Sequence, residues 1–304
     1  MAKLGVTALR SVEIGVTNME EALRFYRDIW CLDPVVAADR VHYFRATGRF
    51  HHILSLRQAP RVAMVRVVFD AADRDAVDVL HAQAAALAMP AIEPPAPLRQ
   101  PGGGYGFGFK DPEGRNYAVV CGVADHADAA DRPDRPRKLS HVNLNTTDND
   151  VSCAVLIEAL GLRLSDETKV FRFLRCHGDH HSMVMAFGGG PTLNHIAFEM
   201  PDLDSVMRGA GRMRDHGYPI EWGPGRHGPG SNVFCYFVGP EEIPIEYTGE
   251  MMQVDEGYRT GKPEDWAWPP RRLDRWGVSD FPSARVHRAQ RLIRFTEDGW
   301  RLPR

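Results

Sequence analysis

Residues 10–16, Arg-Ser-Val-Glu-Ile-Gly-Val, alternate polar and apolar positions as a half-buried strand does. Asn18, with Glu21 three places on, supplies a helix start, and Ala22, Phe25, Tyr26 and Ile29 then fall on one helical face. Strand-like segments follow at residues 41–45, 51–56 and 61–69. Val77, Leu80, Ala84 and Leu87 mark a second amphipathic helix that ends before Pro90. A Gly/Pro-rich connection leads to strands at 105–110 and 116–121, joined by the turn Asp111-Pro-Glu-Gly. The order is strand, helix, three strands, twice over, which predicts an α+β fold built from βαβββ modules.

The same pattern then restarts. Residues 139–144 repeat the strand of 10–16, Thr147 is the expected cap of a helix bearing Val151, Ala154 and Val155, and Gly161 ends it. Asn18 and Thr147, Val77 and Val206, and Pro112 and Pro240 give offsets of 129, 129 and 128 residues. Such a constant offset is the mark of tandem duplication. The expected division is an N-terminal domain at 1–124, a linker at 125–138 with two prolines and no core-forming run, a second domain at 139–250, and an extension at 251–304. The extension is rich in Trp, Arg and Pro, with one helix expected over 284–295. It is expected to cover a site opening or to form an oligomer contact.

Composition narrows the chemistry. A net charge of −3 and a pI near 6.5 leave no basic footprint for nucleic acid. No apolar run approaches the roughly 20 residues that cross a bilayer, and the N-terminus has no signal-like segment, so a cytoplasmic protein is expected. Five scattered cysteines form no Cys-x-x-Cys pair and argue against a disulfide framework or structural zinc.

Placing the halves in register singles out three polar strand residues of the second. At the common offset His141 stands against Val12, His195 against Arg66, and Glu246 against Ala118. Glu246 is moreover the odd residue of the apolar segment Ile243-Pro-Ile245-Glu246-Tyr247. Two histidines and one carboxylate on separate strands, present in one copy of a duplicated fold, match the 2-His-1-carboxylate set of non-haem Fe(II) oxygenases. Fe(II) is the expected cofactor and Mn(II) the alternative.

Around these residues the second half resembles the catalytic module of type I extradiol, or meta-cleaving, catechol dioxygenases of the vicinal oxygen chelate superfamily. The resemblance lies in His227, Tyr236, the turn Gly239-Pro240 and Glu246, with Gly-Pro-Gly-Arg-His-Gly before and Ile-Glu-Tyr-Thr after. Cys176-His-Gly-Asp-His-His-Ser182 adds to it, placing His181 14 residues ahead of His195. Gly239, Glu242 and Cys235 depart from the usual residues of the turn and its strand. The resemblance implies two vicinal-oxygen-chelate domains, each an incomplete barrel of mixed β-sheet with flanking helices, the first metal-free and vestigial. It implies insertion of both atoms of dioxygen into a substituted catechol or trihydroxybenzene, giving a muconic semialdehyde-type product in aromatic degradation.

By the same resemblance His181 is the acid–base group, with adjacent His180 the alternative, and His227 and Tyr236 hydrogen-bond the substrate oxygens. Relatives that cleave carboxylate-bearing catechols carry arginine five residues before this histidine, where the present chain has Trp222. That implies an apolar ring substituent. Asn143 and Arg272 are further candidates for substrate contact, and a homo-oligomer is expected. Two other functions stay open: a metal-dependent isomerase, epimerase or thiol transferase of the same superfamily, and a non-catalytic small-molecule binding protein.

Overall fold

The computed structural model describes residues 4–269 and 272–304. The first module contains β1 (Ala8–Val16), α1 (Met19–Arg24), β2 (Asp33–Ala38), β3 (Val41–Arg45) and β4 (Leu54–Gln58). The second has β5 (Ala63–Asp70), α2 (Arg74–Ala86), the short pieces β6 (Ala91–Ile92) and β7 (Ala96–Pro97), β8 (Tyr105–Lys110) and β9 (Asn116–Cys121). Pro94 and Pro95 lack the N–H groups a ladder needs, which splits β6 from β7. The C-terminal half repeats this with β10 (Lys138–Thr146), α3 (Asn149–Leu160), β11 (Arg163–Glu167), β12 (Phe171–Arg175) and β13 (Met183–Phe187). Its last module is β14 (Leu193–Glu199), α4 (Leu203–Asp215), β15 (Trp222–Arg226), β16 (Val233–Val238) and β17 (Pro244–Gly249).

The two sheets have one topology. Their orders are β2-β3-β4-β1-β5-β9-β8-β6 and β11-β12-β13-β10-β14-β17-β16-β15. In each, the central pair is antiparallel and its outer neighbours are parallel, as in β10 with β14, β13 with β10, and β17 with β14. These mixed sheets with few helices are the α+β architecture the periodicity predicts.

Helix starts follow the side chains that can satisfy free N–H groups. Asn18, Asp73 and Asp202 accept from the backbone N–H three residues on, at the heads of α1, α2 and α4. Beyond Arg24 the first helix widens into a π-helical turn over Phe25–Ile29, which keeps Phe25, Tyr26 and Ile29 buried. The cap of α3 is Asp148 rather than Thr147, because the aspartate accepts from two backbone N–H groups while the threonine hydroxyl turns to Glu113. The tail helix α5 spans only Ala284–Ala289. Past it Ile293 and Phe295 alternate into the core with the period of a strand, and Leu193 N–H donates to the Ile293 carbonyl.

The halves interlock reciprocally. Glu113, in the turn before β9, accepts from Thr146, Thr147 and Ser152 around the start of α3. Glu241, in the matching turn before β17, accepts from the backbone N–H groups of Thr17 and Asn18 at the start of α1, at 2.7 and 3.0 Å. Trp30 of the first half lies stacked on Tyr247 of the second, 3.7 Å between ring centres, inside a hydrophobic core continuous through both.

Candidate metal centre

The three residues picked out by register meet at one point. His141 comes from β10, His195 from β14 and Glu246 from β17, three adjacent strands, and all are buried. His141 Nε2 lies 3.2 Å from His195 Nε2 and 3.3 Å from Glu246 Oε2, and His195 Nε2 lies 3.1 Å from that same oxygen. About 3 Å is the spacing of neighbouring ligands around a divalent ion with bonds of about 2.1 Å.

The tautomers argue the same way. His195 Nδ1 is 2.8 Å from Asn194 Oδ1, an acceptor, so the proton sits on Nδ1 and Nε2 keeps its lone pair. Asn194 is itself oriented by donating to Asn145 Oδ1, and Asn145 donates to the Gln290 carbonyl of the tail. Among the described residues neither carboxylate oxygen of Glu246 has a hydrogen-bond partner of normal geometry. Electron pairs converging in a buried space call for a cation among them. Burial works to raise the Glu246 pKa, but the adjoining imidazoles win and hold it well below the usual carboxylate range. Burial lowers that of His195 against the pull of Glu246.

One sequence expectation needs correction. His141 faces Ala197 across the ladder as Ser11 faces Val68, so its counterpart is Ser11 and not Val12. Val12 matches Val142, and both are core residues. The error and the misplaced cap are one: Asp148 pairs with Asn18 at an offset of 130, and a strand shifted by one residue presents its other face. His195 does match Arg66, and Glu246 does match Ala118.

A cavity of about 1010 Å³ opens from this point. His181, His227 and Tyr236 line it together with His141 and His195. His227 Nε2 is 3.2 Å from the Tyr236 hydroxyl and 4.0 Å from Glu246 Oε1. Burial lowers the His227 pKa to about 4 and pushes that of Tyr236 well up, with the Glu246 charge adding to the latter. Burial likewise lowers His181 well below the ordinary histidine value, helped by His141 and His180.

The remaining candidates divide. Asn143 lines the cavity with its side-chain oxygen buried and unpartnered, and Trp222 packs at 4.9 Å between ring centres from Tyr236. Arg272 is not among the described lining residues, and its guanidinium donates to the Arg275 carbonyl. The tail instead brings Trp266, Trp268, Leu273 and Phe281 to the cavity wall. Sequence reading did not reach Asp166, which is fully buried against His180. A signal for it existed: His51-His52 repeats His180-His181 at the common offset, which draws attention to that pair.

Comparison with known proteins agrees with this architecture. A Mn(II)-bound glyoxalase from Novosphingobium aromaticivorans is 35% identical with a TM-score of 0.85, covering 93% of this chain and 94% of its own. Homoprotocatechuate 2,3-dioxygenase from Arthrobacter globiformis, at 23% identity, shares the fold with a TM-score of 0.84 over 97% of this chain and 94% of its own. Metapyrocatechase 2 of Cupriavidus necator is 34% identical over 137 residues, 44% of this chain and 40% of that protein's length. A manganese-dependent 2,3-dihydroxybiphenyl 1,2-dioxygenase of Geobacillus genomosp. 3 is 25% identical over 79% of this chain and 82% of its own. The model of the Glyoxalase/Bleomycin resistance protein/Dioxygenase superfamily matches residues 8–117 and 138–247, well over half the sequence, and the chain belongs to that superfamily.

Proposed function

We propose that this protein is a non-haem Fe(II)- or Mn(II)-dependent extradiol dioxygenase that cleaves the ring of a catechol carrying an apolar substituent. The observation that carries the reading is the convergence of His141, His195 and Glu246 beside a cavity whose polar walls include His181, His227 and Tyr236. Three protein ligands on one face leave the opposite face for small molecules. A bound divalent ion would raise the acidity of a catechol hydroxyl and bring substrate and dioxygen together.

The side chains have separable tasks. Tyr236, kept protonated by burial, donates a hydrogen bond to a substrate oxygen, and neutral His227 holds the tyrosine hydroxyl on its other side. His181, neutral at physiological pH, receives a proton from the substrate hydroxyl at its cavity-side nitrogen and returns it to the leaving oxygen. Asn143 offers an unpaired acceptor to a second polar group of the substrate. Trp222, Phe171, Phe173 and the tail's aromatic residues exclude water and surround a substituent. About 1010 Å³ lies at the top of the range of about 300–1,000 Å³ that holds drug-sized ligands. Among its described lining residues Lys169 is the sole Lys or Arg, so a carboxylate-bearing substituent has little to recruit it.

The test is anaerobic loading with Fe(II) or Mn(II) in turn, followed by catechol, alkyl-, chloro- and hydroxy-substituted catechols and 2,3-dihydroxybiphenyl in oxygenated buffer. Stoichiometric oxygen uptake with a yellow product is expected, fastest for apolar substituents. No uptake with any of them would refute the assignment. The similarity to the Mn(II)-bound glyoxalase favours a second reading, a metal-dependent isomerase, which turns over without oxygen. A homo-oligomer in the cytoplasm completes our reading, and size-exclusion chromatography tests the assembly.

A further inference from the structure

Behind His181 lies a buried polar chain that the proposed chemistry does not yet use. His181 Nδ1 is 3.0 Å from His180 Nδ1, and His180 Nε2 is 2.7 Å from Asp166 Oδ2. Asp166 and His180 are fully buried and His181 nearly so. The aspartate is surrounded by donors: Gly261 N–H at 2.7 Å and the Tyr258 hydroxyl at 3.2 Å, both from the C-terminal extension. With these donors aimed at it the carboxyl group serves as an acceptor, so the proton between it and His180 is placed on His180 Nε2, which donates to Oδ2. An imidazole whose single proton is on Nε2 presents a bare Nδ1, which accepts from Nδ1–H of His181. The proton of His181 is thereby held on the far nitrogen, leaving the lone pair on Nε2 for the cavity.

The N-terminal half is an internal control. His51 and His52 occupy the same places, with Nδ1 atoms 3.0 Å apart and rings crossing at 89°, against 3.0 Å and 90° for His180 and His181. The histidine pair is therefore a property of the fold. The carboxylate is not: the ladder partner of Phe173 is Asp166, and that of the equivalent Tyr43 is Val36. Among the described residues only the half with the candidate metal centre sets an acid behind the pair, and the extension holds that acid in place.

We infer that Asp166 and His180 are positioning residues that lock His181 in its Nδ1–H tautomer, so that Nε2 is the atom that exchanges a proton with substrate. This rests on the ring-cleaving reading for its consequence in turnover, though not for the tautomer itself. Asp166→Asn is nearly isosteric, but its amide can donate to His180 Nε2, which moves the His180 proton to Nδ1 and reverses the pair. The expected result is a fall in kcat on the order of 10²-fold with KM changed less than about threefold and metal content unaltered. His180→Asn keeps an oxygen acceptor near the lost Nδ1 and should retain more activity than His180→Phe.

The direct reading is the histidine side-chain ¹⁵N spectrum of the full-length protein in the presence of diamagnetic Zn(II), with His181 assigned by its loss in His181→Gln. Nδ1–H on His181 in the wild type, changing to Nε2–H in Asp166→Asn, is the expected pattern. Nε2–H in the wild type, an unchanged tautomer in the variant, or full kcat in Asp166→Asn overturns the inference. The wild-type spectrum decides the matter even if a variant fails to fold, or if the protein acts on no catechol.

Discussion

One fold appears twice in this chain, with one cavity open and the other filled. Where the second half has His141, Asn143, His195 and Glu246, the first has Ser11, Glu13, Arg66 and Ala118. Arg66 ion-pairs with Glu13 at 2.9 Å and donates to the Arg301 carbonyl, so charge neutralisation there is internal. Tyr236 corresponds to Gly108, and the bare glycine admits the Trp300 carbonyl where a side chain would otherwise stand. Leu302 then joins Leu98, Ala118, Val120 and Val123 in a small apolar cluster. The C-terminal extension thus lines one cavity with Trp266, Trp268 and Phe281 and plugs the other with its last residues. Glu221 and Glu93, each donating its N–H to the carbonyl of Tyr236 or Gly108, clip it at equivalent points through Arg285 and Arg304. The duplicated barrel itself does not decide function; a handful of inward residues and the path of one tail do.

The largest asymmetry to break is at His195 and Arg66. His195→Ala should lower metal affinity more than about 100-fold, since loss of outer-shell partners alone costs 10–100-fold, and turnover should fall to background. Arg66→Ala should leave metal content and turnover intact while costing about 1–2 kcal/mol of stability, because Glu13 loses one buried partner but keeps Arg57 at 2.6 Å. Elemental analysis and urea denaturation of both variants check the pair. Loss of metal from Arg66→Ala would mean that the filled half is coupled to the site.

His181→Asn against His52→Asn comes next. The first should keep its metal and lose kcat by on the order of 10²-fold, the second should keep both. Single-turnover kinetics distinguish a slowed chemical step from slowed release. Full turnover in His181→Asn would move the proton-transfer role to another residue.

How much of this was legible in sequence depends on the range of the determining interactions. Strands β3, β8 and β9 end where alternation and turn chemistry end, and the duplication shows through Val77 and Val206 alike. Glu246 was visible because a carboxylate interrupts an apolar strand. The exact partner of His141 was not, since a one-residue difference in offset at the Asn18 and Asp148 caps cannot be told from spacing alone and reverses the strand face. Asp166 was hidden for another reason: in Arg-Leu-Ser-Asp-Glu it reads as a surface strand residue, and only Gly261 and Tyr258, about 95 residues later, make it a core acid. The role of the tail was equally non-local.

The reciprocal clamps give a third comparison. Glu113 is drawn up by burial, but hydrogen bonds from Thr146 and Thr147 and the Arg115 charge win and bring its pKa from 4.5 down to about 2. A folded pKa below the unfolded one adds stability above about pH 4.5 that drains away as the pH falls toward 2. Glu113→Gln should therefore cost about 2 kcal/mol at pH 7. In urea denaturation the gap between wild type and variant should narrow below pH 4.5 and close near 2. A gap independent of pH would assign the clamp to shape and packing instead of charge.

The smallest expected effect concerns what the open cavity selects. Trp222 follows Glu221 as Pro94 follows Glu93, so a ring that walls the open cavity is replaced in the filled half by a residue that breaks a strand. Its indole packs against His227, Phe234 and Tyr236, at 5.4, 4.4 and 4.9 Å between centres. Aromatic pairs of this kind contribute about 0.5–1.5 kcal/mol beyond area burial. Trp222→Ala should thus raise KM for 2,3-dihydroxybiphenyl about five- to tenfold and leave that for unsubstituted catechol nearly unchanged, because the smaller ring stays near the metal residues and leaves the wall untouched. Equal increases for both substrates would instead mean that the indole acts on the ring oxygens through Tyr236 and His227, and the apolar-substituent preference would then rest on the tail's tryptophans.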